Sequence, residues 1–411
     1  MKVLVWSQYF WPESFRINDV AKTLVEKDID VEVLTGKPNY PAGKFFDGYR
    51  GSGCQRETHA GMLVHRIPLI ARGSGGMHLA LNYLSFVLSG LLFGPWRLRD
   101  RQYDVIFVYA PSPILQAIPA IFLGWLKDCP VVLWVQDLWP ESLSATGYVR
   151  NRLVLGLVER LVRYIYRRVG LVLVQSEAFI EPVRDRAPGT RVEYLPNSVD
   201  PSFAIPPTKA IVDCLPVIES GFTVLFAGNI GTAQAVEVII DAATRLREHK
   251  NIQFIILGDG SRRDWMLQET KKRGLTNLHL PGRFPVEMMP GIMQAASALL
   301  VTLANRETFA LTIPSKVQAY LAAGRPIVAS LNGEGANLVV ESGAGIAVPA
   351  EDGEALADAV LSLYYAPSRE REAMGVRGRL FYKQHFLHDT LVDRLIDLLR
   401  SAHEQYKEKR V

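Results

Sequence analysis

The sequence predicts an α/β protein of two nucleotide-binding-type domains facing one cleft. Three observations predict it. Short β-branched, apolar runs alternate with helical patterns from end to end, as in parallel sheets covered by helices. Two strand–turn–helix units stand far apart: Lys2–Trp6 with the loop 7–16 and the helical stretch 17–27, and 222–227 with Gly228-Asn229-Ile230-Gly231 and the helical stretch 236–249. Such a unit points backbone N–H groups and a helix dipole at an anion. Between the halves, 196–221 lacks periodicity and carries Asp200-Pro201, Pro206-Pro207 and Pro216, as a linker does.

The elements follow in order. In the first half, 2–6, 31–35, 63–67, 105–109, 131–135 and 170–175 are short apolar runs fit for buried parallel strands, with a shorter one at 191–195. In the second, 222–227, 253–257, 278–281, 298–302, 326–329 and 345–348 repeat the pattern. The domains are therefore 1–198 and 199–388. The last stretch, 389–409, reads as a long amphipathic helix that packs on its own domain or crosses back to the first.

Length and composition fit this division. A chain of 411 residues exceeds one ordinary core, and 48% hydrophobic with 21% charged residues is globular. The net charge of +4 does not call for nucleic acid. Cys54, Cys129 and Cys214 are widely spaced with no Cys-x-x-Cys, so neither a disulfide framework nor a zinc site is indicated, which suits a reducing cytoplasm. The chain opens on a charged residue and a strand, not on a signal peptide pattern.

Two segments raise the question of a membrane. Residues 77–96 are nearly all apolar and are flanked by Arg72, Arg97, Arg99 and Arg101, although His78, Asn82, Ser85 and Pro95 interrupt them. Such a run crosses a bilayer, fills a core, or dips into one leaflet. In 150–168, Leu153, Leu157, Leu161 and Ile165 recur at helical spacing among Arg150, Arg152, Arg160, Arg163, Arg167 and Arg168. That is an ordinary amphipathic helix, or one that meets anionic lipid or a lipid-linked pyrophosphate.

The chemistry-bearing strings lie at strand ends. Gly228-Asn229-Ile230-Gly231 and Gln234, Gly258-Asp259-Gly260, and Gly282-Arg283-Phe284 are three glycine turns in the second half, where a ligand's phosphates can approach the main chain. Pro314-Ser315-Lys316 opens a helix, with Ser315 placed to cap it. A lysine in a first helical turn opposes the dipole, which makes sense when both face an anion such as a diphosphate. In the first half, Gln136-Asp137-Leu138-Trp139-Pro140-Glu141-Ser142 sets carboxylates beside aromatics, where burial tunes a carboxyl for general-base or hydroxyl-binding work. Arg16 and Asn18, with Lys37 and Asn39 near the second strand end, can hold a phosphate or hydroxyl at the same edge. The bland alternatives are tight turns, a solvated lysine and helix caps.

Together, Gln8-Tyr9-Phe10-Trp11-Pro12-Glu13, Phe15-Arg16-Ile17-Asn18-Asp19, the 34–41 string, Gln136–Glu141, Gly228-Asn229-Ile230-Gly231 and Pro314-Ser315-Lys316 resemble glycosyltransferase family 4 over essentially the whole chain. Within it they are most similar to the L-fucosamine (N-acetyl-L-fucosamine) transferases of O-antigen and capsular polysaccharide biosynthesis, the WbuB type. The resemblance implies a GT-B fold of two Rossmann-like domains, with a UDP-sugar donor on 199–388 and an acceptor on 1–198. It also implies that the final helix crosses back to the first domain and that transfer needs no metal. An undecaprenyl-diphosphate-linked sugar acceptor and a place on the inner face of the cytoplasmic membrane suit the basic, apolar first half. Departures are clear. The family's pair of donor-domain glutamates falls on Leu311 and Ala319, its pyrophosphate-gripping Arg and Lys on Asn229 and Gln234, and its histidine region on Gln136-Asp137. Leaving-group stabilisation therefore passes to Lys316, aided by the Gly231 N–H and Arg283, and hydroxyl binding to Gln318, Thr312 or Arg306. Asp137, then Glu141, is the candidate to orient or deprotonate the acceptor. Gly228, Asn229, Gly231, Gln234, Asp259, Arg283, Pro314, Ser315 and Gln318 make up the donor set, and Arg16, Asn18, Lys37, Asn39 and Gln136 the acceptor set. Competing readings are a non-hydrolysing UDP-sugar 2-epimerase and a decayed, membrane-associated scaffold. The lack of Gly-x-Gly-x-x-Gly after the first strand speaks against a dehydrogenase.

Overall fold

The computed structural model describes residues 1–73, 75–145, 151–199, 203, 215–219 and 221–409. It divides into two compact units, Met1–Pro196 with Asp389–Val411, and Asn197–His388. Of the residues singled out above, Arg150, Asp200, Pro201, Pro206, Pro207 and Cys214 lie outside the described ones.

Unit 1 runs β1 (Lys2–Trp6), α1 (Arg16–Glu26), β2 (Asp30–Thr35), β3 (Gln55–His59), β4 (Met62–Arg66), α2 (Gly76–Arg97), β5 (Val105–Ala110), α3 (Ala117–Lys127), β6 (Val131–Val135), α4 (Glu141–Ala145), α5 (Arg152–Arg168), β7 (Leu171–Val174), α6 (Ile180–Arg186) and β8 (Val192–Tyr194). The sheet order is β3-β4-β2-β1-β5-β6-β7-β8. Every neighbouring pair is parallel except β3–β4. The polar run Gln55-Arg56-Glu57-Thr58-His59 gives no apolar signal for a strand. It becomes one as the outer half of a hairpin, whose two-residue turn puts Ala60 and Gly61 at φ +47° and +80°, the pairing that a twisted hairpin favours.

Unit 2 runs β9 (Phe222–Asn229), α7 (Glu237–Arg245), β10 (Ile252–Asp259), α8 (Arg263–Lys272), β11 (Leu278–Gly282), α9 (Met289–Ala295), β12 (Ala298–Thr302), α10 (Glu307–Ala310), α11 (Ser315–Ala323), β13 (Ile327–Ser330), α12 (Glu334–Glu341), β14 (Gly345–Val348), α13 (Gly353–Tyr365) and α14 (Ser368–His385). Its six strands are ordered β11-β10-β9-β12-β13-β14, all parallel. Part of the expected linker belongs to this core, since Leu215 and Ile218 are buried in it.

The last helix, α15 (His388–Glu408), returns to unit 1. Its Leu391, Val392, Leu395, Ile396 and Leu399 join Val3, Val5, Val31, Val33 and α1 on one face of the sheet. Lys27 pairs with Asp393 at 2.7 Å, and Arg191 donates to Ser401 at 2.8 Å. Alternate residues of the strands serve the other face. There Trp6 meets α2 edge-on through Phe86. A side chain on Gly90 would lie 2.9 Å from Trp6 and 2.8 Å from Pro119, so that glycine sets how closely α2 approaches.

The two apolar segments correct the sequence expectations. The inner stripe of α2, Asn82, Tyr83, Phe86, Val87, Gly90 and Gly94, is buried. Its outer stripe from Met77 to Trp96 is exposed, which excludes an ordinary core helix. In α5 the buried residues are Val158, Val162, Ile165 and Tyr166, whereas Leu153 and Leu157 of the expected stripe face outward. The helix starts at Arg152 because Asn151 accepts hydrogen bonds from the N–H groups of Leu153 and Val154.

Candidate functional site

The strand order turns from descending to ascending between β1 and β5 in unit 1 and between β9 and β12 in unit 2. Ligands of open α/β sheets bind outside the strands' carboxyl ends at such points. Unit 1 has a cavity at its own, and the unit 2 cavity lies beside its own, at the carboxyl ends of β9, β10 and β11.

In unit 2 the pairing of β9 with β12 stops after Leu225↔Leu299. Tyr320 of α11 fills the gap. Its buried hydroxyl accepts from the Ala227 N–H at 3.1 Å and donates to the Leu300 carbonyl at 3.2 Å. This fixes α11 against the end of β9. Lys316, one turn earlier on the same helix, lies across Gly228: an added Cβ there would sit 2.4 Å from its Cε. Gly228 has φ +139°, so both conformation and space require glycine. The same holds at Gly258, where a Cβ would fall 1.8 Å from the Gly228 carbonyl oxygen. The Lys316 ammonium is buried at its tip and has no hydrogen-bond partner among the described residues. It rests 3.7 Å from the centroid of the Phe226 ring. Burial pulls its pKa down to about 7, since desolvation disfavours the charged form.

A cavity of about 380 Å³ opens beside it. Gly228, Asn229, Asp259 and Arg283 form its polar side, and Phe284, Met289 and Met293 its apolar side. Arg283 stands 3.4 Å from Asp259. The arrangement accepts a flat apolar ring next to an anion. Gln234, Gly231, Pro314, Ser315, Lys316 and Gln318 lie outside this lining, and the Gly231 N–H is already taken by Gln234 Oε1 at 3.2 Å, which also accepts from Asn229 at 3.1 Å. Pro314, not Ser315, holds the N-cap position of α11, and no side chain caps the helix; Ser315 is exposed in its first turn. The first-turn amides of α11 are thus left without a side-chain cap beside Lys316. Gln318 is buried with both amide atoms unpartnered among the described residues. Thr312 is occupied by the Phe309 carbonyl, and Arg306 is exposed.

The unit 1 cavity, about 280 Å³, is faced by Tyr9, Phe15, Tyr40, Arg72, Tyr83 and Asp137, with Ser112, Trp139 and Ser142 completing it. Tyr9 and Phe15 stack at 4.9 Å between ring centroids, and Tyr40 tilts onto both. The Asp137 carboxyl makes no hydrogen bond or ion pair with the described residues, and burial pushes its pKa up to about 6. Part of it is therefore ionised near neutrality and ready to accept a proton. Arg72 lies 5.2 Å from the Tyr40 ring and 3.4 Å from the Tyr9 hydroxyl, with no carboxylate partner among the described residues.

The residues expected to bind at this edge instead build its loops. Arg16 pairs with Asp19 at 3.1 Å, Lys37 donates to Gln55 at 2.8 Å, and Asn18 ties Trp11 to Glu13. Asn39 bridges Lys37 and Arg72 through their backbones, and the Gln136 N–H donates to the Ala110 carbonyl. None of the five lines the cavity. Glu141 is held by Arg186, whose other edge takes Glu159 at 3.0 Å. Sequence reasoning missed Glu13, which accepts from the N–H groups of Phe10, Asn39 and Tyr40 and locks the first loop to the second. Burial raises its carboxyl to about 7. It also missed Tyr9, Tyr83 and Arg72, whose approach depends on chain-distant pairing that no local pattern encodes.

Residues 14–198 match the family model described as glycosyl transferase 4-like domain, and 221–365 match glycosyl transferases group 1. WcaI of Escherichia coli (strain K12), described as a colanic acid biosynthesis glycosyl transferase, is 25% identical over 346 residues, covering 79% of this chain and 82% of the relative. Among solved structures, sucrose-phosphate synthase of Thermosynechococcus elongatus aligns with a TM-score of 0.74 at 15% identity, over 97% of this chain and 98% of that one. HepE of Anabaena in complex with UDP aligns at 0.72 and 14% identity, over 98% and 100%. The E. coli trehalose-6-phosphate structure bound with UDP-2-fluoro glucose aligns at 0.74 and 13%, over 97% and 99%.

Proposed function

The chain belongs to the glycosyltransferases of the family 4 type with a GT-B fold, and from that premise we propose that it moves a sugar from a UDP-sugar to a lipid-linked saccharide in O-antigen or capsular polysaccharide assembly. The observation that carries this reading is Lys316, a buried ammonium with no counter-charge among the described residues, laid across a glycine at the end of β9. Transfer separates charge: the diphosphate gains negative charge while the sugar ring becomes positive. A preorganised cation and an uncapped helix N-terminus favour that state over the ground state. We assign the nucleobase to the apolar side of the 380 Å³ cavity and the diphosphate to its Gly228 side, across which Lys316 lies. WcaI's place in colanic acid biosynthesis and the UDP ligands of the structural relatives support the pathway and the donor. The sugar is N-acetyl-L-fucosamine or a related 6-deoxyhexosamine, and the enzyme sits peripherally on the inner face of the cytoplasmic membrane. Asp137, in the unit 1 cavity, orients and deprotonates the acceptor hydroxyl.

Calorimetry of UDP, GDP and ADP with the purified protein, with and without EDTA, tests the donor site. UDP is expected to bind equally well in EDTA, because Lys316 supplies the charge that a divalent ion supplies elsewhere. A strict metal requirement would overturn this role. Binding of no nucleotide would favour the scaffold, and conversion of a UDP-sugar without acceptor would favour the epimerase. Gly228→Ala is expected to weaken UDP about 10-fold, since strain at positive φ costs roughly 1–3 kcal/mol and the methyl displaces Lys316. An unchanged dissociation constant would argue against the diphosphate lying there.

A further inference from the structure

We infer that α2, α3 and the start of α5 form one lipid-facing surface of unit 1 that beds in an anionic leaflet, and that the adjoining 280 Å³ cavity takes an amphiphilic acceptor from that leaflet, with Arg72 holding its phosphate. That this ligand is an acceptor rests on the transferase reading; the lipid-facing surface does not.

A helix on a water-soluble surface carries polar residues outside. α2 does not. Its outer stripe of Met77, Leu81, Leu84, Leu88, Leu92 and Trp96 is solvent-exposed, with Met77 at 76% and Leu92 at 69%. α3 packs against α2 and extends the patch with Phe122, Trp125 and Leu126, and α5 packs against α3 and adds Leu153, Val154 and Leu157. Neither α2 nor α3 contains an acidic residue. A continuous apolar surface of this kind marks an interaction face.

The charge around it selects the partner. Beyond Leu157, the outward positions of α5 become Arg160, Arg163, Arg167 and Arg168, of which Arg163 pairs with Glu159 at 2.7 Å. Past the end of α2 at Arg97, Arg99 pairs with Asp100 and Arg101 with Glu32, both at 3.2 Å, so the basic border is chiefly that of α5. Apolar side chains with arginines at their border match an acyl layer below anionic headgroups. The helix lies in the plane of the leaflet and does not cross it, because its inner side is fixed along the sheet. Asn82 accepts from Gln8 Nε2 at 2.7 Å and donates to the Ile70 carbonyl at 2.6 Å, and Gly94 lies against Trp6.

The same helix walls the unit 1 cavity. Leu79 and Tyr83 line it, while their neighbours Met77, Leu81 and Leu84 face outward. Arg72, just before α2, faces the cavity with no carboxylate on it among the described residues. A ligand can thus leave its chain among the outer leucines, set its phosphate on Arg72, and lay a sugar against the Tyr9, Phe15 and Tyr40 rings.

The test floats full-length protein on phosphatidylcholine vesicles with and without phosphatidylglycerol. Wild type is expected to float with anionic vesicles, with a blue shift of tryptophan emission from Trp96 and Trp125. The combined variant Leu84→Glu, Leu88→Glu and Leu92→Glu changes only exposed positions, and it is expected to stay in solution while binding UDP as wild type does. With this variant, transfer to a long-chain polyprenyl-diphosphate acceptor in vesicles falls at least ~10-fold, and a short-chain soluble acceptor is used normally. Arg72→Ala is expected to float normally and to raise KM for either diphosphate acceptor about 10-fold, as loss of one charge-assisted contact does. Wild type that ignores anionic vesicles, or a triple variant that still floats, overturns the lipid surface. So does a wild-type dimer in analytical ultracentrifugation that the triple variant disperses, because a second copy then covers the face. An unchanged KM in Arg72→Ala overturns the phosphate contact. Flotation without UDP binding would overturn the transferase reading and leave the surface standing.

Discussion

Lys316→Ala is expected to lower turnover at least ~100-fold, the effect of deleting one preorganised donor from a site where charge develops. Three observations set the size of the effect. The ammonium tip is shut off from solvent, it has no partner among the described residues, and it stands in the first turn of an uncapped helix. In the free protein this is a liability. Burial holds the pKa at about 7, against ~10.4 in an unfolded chain. Between those values the unfolded chain binds more protons, so the stability of the ligand-free protein rises with pH from about 7 to 10 and is lowest below that window. Lys316→Met, which keeps the stem and removes the charge, is therefore expected to raise the ligand-free Tm at pH 6 to 7 while abolishing the Tm gain that UDP gives wild type. A diphosphate restores the charged form, so UDP binding at pH 8.5 should take up nearly one proton, and at pH 6 almost none. Calorimetry in buffers of different ionisation enthalpy reads this directly. A variant with near-normal turnover, or binding without proton uptake at pH 8.5, would show that Lys316 does not face the diphosphate.

What the sequence disclosed and what it withheld divide along one physical line. Local periodicity marks every buried parallel strand, because a strand covered on both faces is apolar along its whole length. It misses β3, which is polar and exists only as the partner of β4. The glycine turns of unit 2 were legible because positive φ leaves few residue choices. That Gly228 serves Lys316 was not, since 88 positions separate them and only the crossing of α11 over β9 joins them. In unit 1, Asp137 was legible from its place after a strand. Arg16, Asn18, Lys37 and Asn39 have the right chemistry in the right loops, yet their polar groups are consumed in holding those loops. Composition tells that a polar group is present; only packing tells whether its hydrogen bonds are already spent. The apolar run of α2 shows the same limit: the sequence leaves three environments open, and the exposure of its outer stripe removes the core-helix reading.

Asp137→Asn is expected to cost about 10²–10⁴ in turnover, the usual contribution of a positioned general base. Asparagine keeps the size and the hydrogen-bonding reach of the side chain but cannot take the acceptor's proton, so acceptor affinity should change little while kcat falls. Burial alone raises the carboxyl to about 6. No cation among the described residues pulls the pKa down, and this makes it a stronger base than an exposed aspartate near ~3.9. Its catalytic form is the carboxylate, so kcat/KM for the acceptor should rise with pH to a plateau, with the midpoint near 6. The variant should lose that acid limb as well as the rate. Donor binding is a separate control: Asp137 belongs to unit 1 and Lys316 to unit 2, so UDP affinity and its proton uptake should survive in Asp137→Asn. A pH profile of the variant that keeps the limb near 6 would assign it to another group, and Glu13, which burial raises to about 7, is the carboxyl to replace next.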